Sequence, residues 1–196
     1  MALSPVPTPI GIFPALFAQQ SETLILKEKV LSLTGDDFHI KLANGMPILR
    51  VEGKVMSISG RKKLFDEQGN HLFDIVKEHF HLHTTFAVED AKGQKIMEVK
   101  SSFKLIGSKA TATFTSSQTG KQEILTMRGN WLDTTADIVD EAQGNLVIAR
   151  INRKLLSGKD LFFGQQTYGV TVAPGVDMAL VAAMCICLDE KNNEGS

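Results

Sequence analysis

The chain has 196 residues, enough for one domain with a substantial buried core or at most two small ones. Its residues are 43% hydrophobic and 22% charged, with a formal net charge of -1, which is typical of a soluble globular protein. This near-neutral charge excludes the strongly basic class of nucleic-acid-binding domain, so we expect no nucleic-acid partner, although a local basic patch remains open.

Residues 1–22 are predicted to form a Pro-rich arm that is extended or disordered. Four prolines interrupt the apolar part of this segment, and no basic residue precedes it. A secretory signal peptide needs a charged start and an unbroken apolar helix, so the segment does not fit one.

Between residues 23 and 172, short apolar and β-branched stretches alternate with turn residues. Five glycines stand at the turn centres, at intervals of 24, 24, 27 and 24 residues: Gly45, Gly69, Gly93, Gly120 and Gly144. An acid or a small polar residue lies three positions before four of them: Asp66, Asp90, Ser117 and Glu141. This spacing is typical of a type I turn followed by a left-handed residue, so we predict five β-hairpins.

The hairpins supply ten strands, and the stretches Thr23–Val30 and Thr167–Val172 bring the number to twelve. An antiparallel sheet of this size splits into two layers or closes on itself, since a long open sheet twists and exposes its edges. A closed barrel of about twelve strands has a lumen that side chains alone do not fill.

The stretch APGVDMALVAAMCICLDE, from Ala173 to Glu190, provides the filling. Its uninterrupted apolar part covers 11 residues, Met178 to Leu188, whereas a membrane-spanning helix needs about 20. We therefore predict a buried helix over roughly Val176–Leu188, with Pro174 and Asp177 as helix-start residues. Its plug residues are Val176, Met178, Leu180, Val181, Met184, Cys185 and Leu188.

The predicted fold is all-β with one buried helix: a closed antiparallel barrel of about twelve strands around a central C-terminal hydrophobic helix. No transmembrane span is expected. The two cysteines, Cys185 and Cys187, lie inside the apolar helix, which favours buried thiols in a reducing, cytoplasmic compartment.

Basic residues form two groups along the chain. The first group contains Arg50, Lys54, Arg61, Lys62 and Lys63, and the second contains Arg153 and Lys154. All seven are candidate residues for binding a lipid headgroup. Strand alternation puts Arg61 and Lys63 on one side and Lys62 on the other. Two interpretations stay open: attraction to anionic lipid, worth about 1 kcal/mol per basic residue, or a solvated hairpin that keeps the sheet soluble.

A His-x-His-x-His pattern is the one metal-like feature. His79, His81 and His83 share one face if the segment is a strand, but a zinc site needs a further ligand from elsewhere. A solvent-facing strand is the alternative, so no metal is predicted. The sequence also lacks the common catalytic motifs, and we expect no enzyme activity and no cofactor.

Four stretches carry a resemblance to a known family. They are TLILKEKVLSLTGDDFHIKLANGMPILRVEG, LFDEQGNHLFDIV, GNWLDTTADIVDEAQGNLVIARI and YGVTVAPGVDMALVAAMCICLDE. They resemble the LURP-one-related family, in the tubby C-terminal-like superfamily that also contains the phospholipid scramblases. The resemblance implies a single tubby C-terminal-like barrel domain over residues 23–190, followed by a flexible tail over residues 191–196.

The same resemblance implies several functions. Tubby-type domains bind phosphoinositide headgroups, scramblases are linked to lipid movement, and LURP-one proteins are associated with pathogen defence. We predict a cytoplasmic, peripheral binding or scaffold module whose partners are anionic membrane lipids. The alternatives are a protein-interaction scaffold in stress or defence signalling, and a scramblase-like or metal-binding protein.

Overall fold

The structure, a computed structural model, describes residues 2–27, 38–52, 61–78, 84–102, 109–129, 135–152 and 167–193. They form twelve strands, one α-helix and a single 3₁₀ turn at Pro14–Leu16. The helix, α1, spans Met178–Asn193. The strands are β1 (Glu22–Lys27), β2 (Phe38–Leu42), β3 (Pro47–Val51), β4 (Lys62–Asp66), β5 (His71–Glu78), β6 (Thr85–Glu89), β7 (Lys95–Ser102), β8 (Lys109–Thr115), β9 (Gln122–Gly129), β10 (Thr135–Asp140), β11 (Leu146–Asn152) and β12 (Thr167–Val172).

The strands form a closed antiparallel barrel, as the sequence predicted. Each strand pairs with the next along the chain, and β1 pairs with β12 from Glu22↔Val172 to Lys27↔Thr167. Closure leaves none of these twelve strands with a free edge for another chain to pair with. Among the described residues, no helix is both long enough and apolar enough to cross a bilayer.

All five predicted glycines occupy hairpin turns with positive φ, between 66° and 87°. In this conformation a Cβ atom is costly, which explains the regular spacing of glycine. In the second and third turns, Asp66 and Asp90 each accept two backbone N–H groups of their own turn at 2.8–3.0 Å. The predicted turn geometry is confirmed at these positions.

The last two turns use a different polar residue from the predicted one. Ser116 and Asp140, each one position earlier than Ser117 and Glu141, accept the turn N–H groups. At the fourth turn, the N–H of Gly120 donates to the carbonyl of Ser116, four residues back, so the turn is one residue longer than predicted. Ser117 instead hydrogen-bonds the N-terminal arm, and Glu141 pairs with an arginine of β9.

Helix α1 fills the lumen, and every residue from Met178 to Leu188 is buried. All seven predicted plug residues are in this core. The helix begins two residues later than predicted, because Val176 and Asp177 form bridges with the arm at Ile10 and Phe17. It continues to Asn193, since no helix-breaking residue occurs before Gly195.

The prediction that Pro174 lies in the first helical turn is wrong. Pro174 follows Ala173 in a tight turn that the N–H of Val176 closes by donating to the carbonyl of Ala173 at 3.2 Å. Gly175 has φ of +87° in the third position, as a type II turn requires. The turn reverses the chain so that α1 enters the barrel that β12 has just completed.

Asp177 joins the helix to the arm. Its Oδ1 accepts the N–H groups of Ala179 and Leu180 at 2.9 and 3.3 Å, which makes it the N-cap of α1. Its Oδ2 accepts the N–H groups of Ile12 and Phe13 at 2.9 and 2.8 Å. The side chain is fully buried, and this one carboxylate satisfies four backbone donors, two of which lie at the buried start of α1.

The arm lies across the end of the barrel where α1 begins. The N–H of Asp177 donates to the carbonyl of Ile10, and the N–H of Ala18 donates to the carbonyl of Val176, both at 2.9 Å. Ile10 and Ala18 are buried in the main core. At the other end of α1, the hydroxyl of Tyr168 donates to Asp189 at 2.7 Å.

We predict that Ala182→Asp abolishes cooperative folding. Ala182 is fully buried in the middle of α1, and a charge without a partner there costs several kcal/mol. The measurement is urea denaturation followed by tryptophan fluorescence and circular dichroism. Ala91→Asp, in the exposed turn between β6 and β7, is the matched control and should unfold like the wild type. A cooperative transition in Ala182→Asp at the wild-type midpoint would contradict the buried position of the helix.

The Asp177 carboxyl is predicted to make stability depend on pH. Burial raises its pKa from 3.8 to about 6, so the folded state favours the protonated form. The stability of the wild type relative to Asp177→Asn should therefore be greatest below pH 3.8. It should decrease by up to about 3 kcal/mol as the pH rises towards 6.

Asp66→Asn is the control, for which we expect the stability difference to change with pH in the opposite direction. The hydrogen bond from the Asn70 side chain lowers the pKa of Asp66, so the wild type should lose stability relative to this variant as the pH falls below 3.8. Urea denaturation at a series of pH values measures both differences. A difference for Asp177→Asn that stays flat between pH 3.8 and 6 would contradict the assigned burial.

Candidate functional site

The predicted basic residues divide between described and undescribed parts of the chain. Lys54, Arg153 and Lys154 lie outside the described residues, as do His79, His81 and His83. Within the described ranges, no group of three or more His, Cys, Asp or Glu side chains is arranged to hold a metal ion. The remaining candidates, Arg50, Arg61, Lys62 and Lys63, lie on β3, on β4 or next to β4.

Arg61 is occupied by two carboxylates of neighbouring strands. Its guanidinium lies 2.6 Å from Asp74 and 2.9 Å from Glu89, and the hydrogen bond with Asp74 raises the pKa of Arg61. Asp74 also contacts the His71 ring at 2.6 Å. Lys62 lies on the inward side of β4 and is buried. An anionic headgroup approaching Arg61 would meet two carboxylates, so the predicted basic run is not one cationic surface.

Arg50 and Lys63 face outward on adjacent strands. Arg50 is opposite Phe65 in the β3–β4 register, and its guanidinium carbon lies 4.4 Å from the Phe65 ring centroid, which is a cation–π contact. Lys63 is exposed two residues before Phe65 and therefore on the same face. Two further exposed lysines, Lys27 and Lys41, lie on β1 and β2.

We call the set Lys27, Lys41, Arg50 and Lys63 the basic face. Within the described part of the chain, its three lysines form no ion pair, whereas several cations elsewhere on the barrel do. Those pairs are Lys95–Glu78, Lys100–Glu98, Arg128–Glu141 and Arg150–Asp137. The three lysines of the basic face are therefore exposed cations without an ion pair among the described residues.

Lys27 and Lys41 were not among the residues predicted from sequence. In the FHIKL stretch of β2, the inward positions are Ile40 and Leu42, so alternation alone places Lys41 outward. A search for contiguous basic runs misses such residues, because each is an isolated lysine whose outward position follows only from strand alternation. The alternation between Lys62 and Lys63, in contrast, could be read from the sequence.

Comparisons with known proteins agree with this architecture. The sequence profile of the LURP-one-related family matches residues 22–189. Protein LURP-one-related 15 of Arabidopsis thaliana is 24% identical over 97% of this chain and 91% of its own length. Protein LURP-one-related 10 of the same plant is 22% identical, over 94% of this chain and 97% of its own.

The fold is shared with a solved structure. An X-ray structure of an Arabidopsis thaliana protein matches with a TM-score of 0.59 at 17% identity, over 92% of this chain and 97% of that one. An identity this low supports the fold alone. The match of the family profile over most of the barrel and α1 shows that the chain belongs to the LURP-one-related family.

Proposed function

We propose that this protein is a non-enzymatic, cytoplasmic binding module that attaches peripherally to anionic phospholipid through the basic face. The observation that carries the proposal is the exposure of Lys27, Lys41 and Lys63 without an ion pair among the described residues. The resemblance to tubby-type domains, which bind phosphoinositide headgroups, points the same way. Lys54, Arg153 and Lys154 stay predictions for the same role.

The free energy that the basic face can contribute to membrane binding is modest. An anionic bilayer attracts a basic residue near its surface by about 1 kcal/mol. The whole chain carries a net charge of -1, so attraction has to come from the local face and not from the overall charge. Screening over about 10 Å at 0.1 M salt makes such binding strongly dependent on ionic strength. Arg50 packs its guanidinium on the Phe65 ring, within the same outward face of the sheet.

We predict that Lys41→Ser/Lys63→Ser reduces binding to vesicles of phosphatidylcholine with phosphatidylserine and a phosphoinositide. Loss of two near-surface charges should weaken binding roughly 30-fold, at about 1 kcal/mol each. The measurement is vesicle sedimentation at low salt, repeated at rising salt. The wild type should bind and lose binding as salt increases.

The matched control is Lys92→Ser/Lys121→Ser, which removes two exposed lysines from hairpin turns outside the basic face. It changes the net charge equally and should keep most of the binding. Equal losses in both double variants, or no binding by the wild type at low salt, would refute the proposal. Arg61 and Lys62 are unsuitable for this test, because Arg61→Ala removes an ion-pair partner of the buried Asp74 and Lys62 is itself buried.

A further inference from the structure

A second surface lies between the arm and the hairpin turns and has a different chemistry. This surface, which we call the arm groove, encloses about 490 Å³. One wall is the arm around the 3₁₀ turn, with Phe13 and Leu16, and the other is formed by Ile48 and Leu72 of β3 and β5. A volume of this size is within the range of about 300–1,000 Å³ that ligand-binding pockets show.

The wall formed by the arm is held in place before any partner arrives. The backbone N–H of Phe13 donates to the buried Asp177 at 2.8 Å. The Phe13 ring stacks on Phe73 of the core, with the centroids 5.6 Å apart and the planes 24° apart. An occupant therefore does not have to order this wall, which reduces the entropic cost of binding.

Two acidic residues line the groove, and none of its described lining residues is basic. Asp66, the last residue of β4, and Glu67, which follows it, are both among the lining residues. The Asn70 side chain lowers the pKa of Asp66, which keeps this carboxylate ionised. The Glu67 carboxylate is partly exposed, and its ion pair among the described residues is with the exposed His39 ring, at 3.2 Å. The groove thus combines apolar walls with local negative charge.

Exposed apolar surface continues beyond the groove. Met46, next to the lining residue Pro47, is 53% exposed. In the described part of the chain, only Met46 and Ile124 are large apolar side chains exposed to this degree. Further exposed apolar side chains line the groove: Pro14, Ala15 and Pro47. Exposed apolar side chains beside a groove are typical of a contact with a larger partner, and a flexible methionine adapts to different side chains.

We propose that the arm groove binds a segment of a partner protein in which a large apolar side chain is adjacent to a lysine or arginine. The apolar side chain would enter between Leu16 and Leu72, and the cation would lie against Asp66 and Glu67. Charge complementarity selects this occupant, because an anionic lipid headgroup or an acidic peptide would be repelled by the two carboxylates. This site goes beyond the proposed lipid binding and does not depend on it.

The test is selection of random twelve-residue peptides on the full-length protein, with Ala15→Arg as the counter-selection. Ala15 lines the groove and is exposed, so arginine there should block the groove with a positive charge without affecting the core. Peptides enriched on the wild type should carry a large apolar residue within two positions of a lysine or arginine. When the binding of one such peptide is measured by fluorescence anisotropy, Ala15→Arg should lower the affinity by about tenfold or more.

Two more variants sharpen the result. Glu67→Gln should weaken binding by about two- to fivefold, the usual range for one exposed ion pair. Ile124→Ser, which removes the other exposed large apolar side chain, is the matched control and should bind the peptide like the wild type. If Ala15→Arg lowers the unfolding midpoint, Met46→Ser replaces it and should also weaken binding.

Several outcomes would overturn the proposal. These are no enrichment on the wild type over Ala15→Arg, enrichment of acidic peptides, and equal loss of binding in Ile124→Ser. A concentration-dependent dimer that Ala15→Arg abolishes in sedimentation velocity would show that a second copy of the chain occupies the groove.

Discussion

The lumen of the barrel is the constraint on which the rest of the structure depends. A closed sheet of twelve strands is wider than its inward side chains can fill, so the interior needs another element. Helix α1 meets this need because it is apolar on every side from Met178 to Leu188. The strands in turn give the helix an environment without water, where an all-apolar surface is stable.

The same constraint explains the arm. A helix that starts inside a closed barrel has backbone N–H groups that water cannot satisfy. Asp177 satisfies two of them and uses its second oxygen to hold Ile12 and Phe13. Gly11 is required beside it, because an added Cβ would lie only 2.1 Å from the Cβ of Asp177. The position of the arm is therefore linked to the start of α1, and the arm groove depends on this link.

The hairpins and the helix could be predicted because their signals are local. Each turn glycine is within a few residues of the strands it joins, and the apolar run of α1 is continuous in the sequence. The contact between Asp177 and Ile12 joins residues 165 positions apart, and no sequence pattern indicates it. The pairing of Arg61 with Asp74 and Glu89 likewise depends on strand register. The candidate site was therefore predicted less well than the fold: one of its arginines is neutralised, and two lysines of the basic face were missed.

The two surfaces have opposite charge and suit different partners. The basic face presents lysines to anions, while the arm groove presents apolar side chains and carboxylates to a basic, apolar segment. Both rest on the claim that α1 is an integral part of the barrel. The most direct test is to compare urea denaturation of residues 1–173 with that of the same fragment after addition of a synthetic peptide covering residues 174–193. The fragment alone should show no cooperative transition, and the peptide should restore one. A fragment that unfolds cooperatively without the peptide would contradict this account.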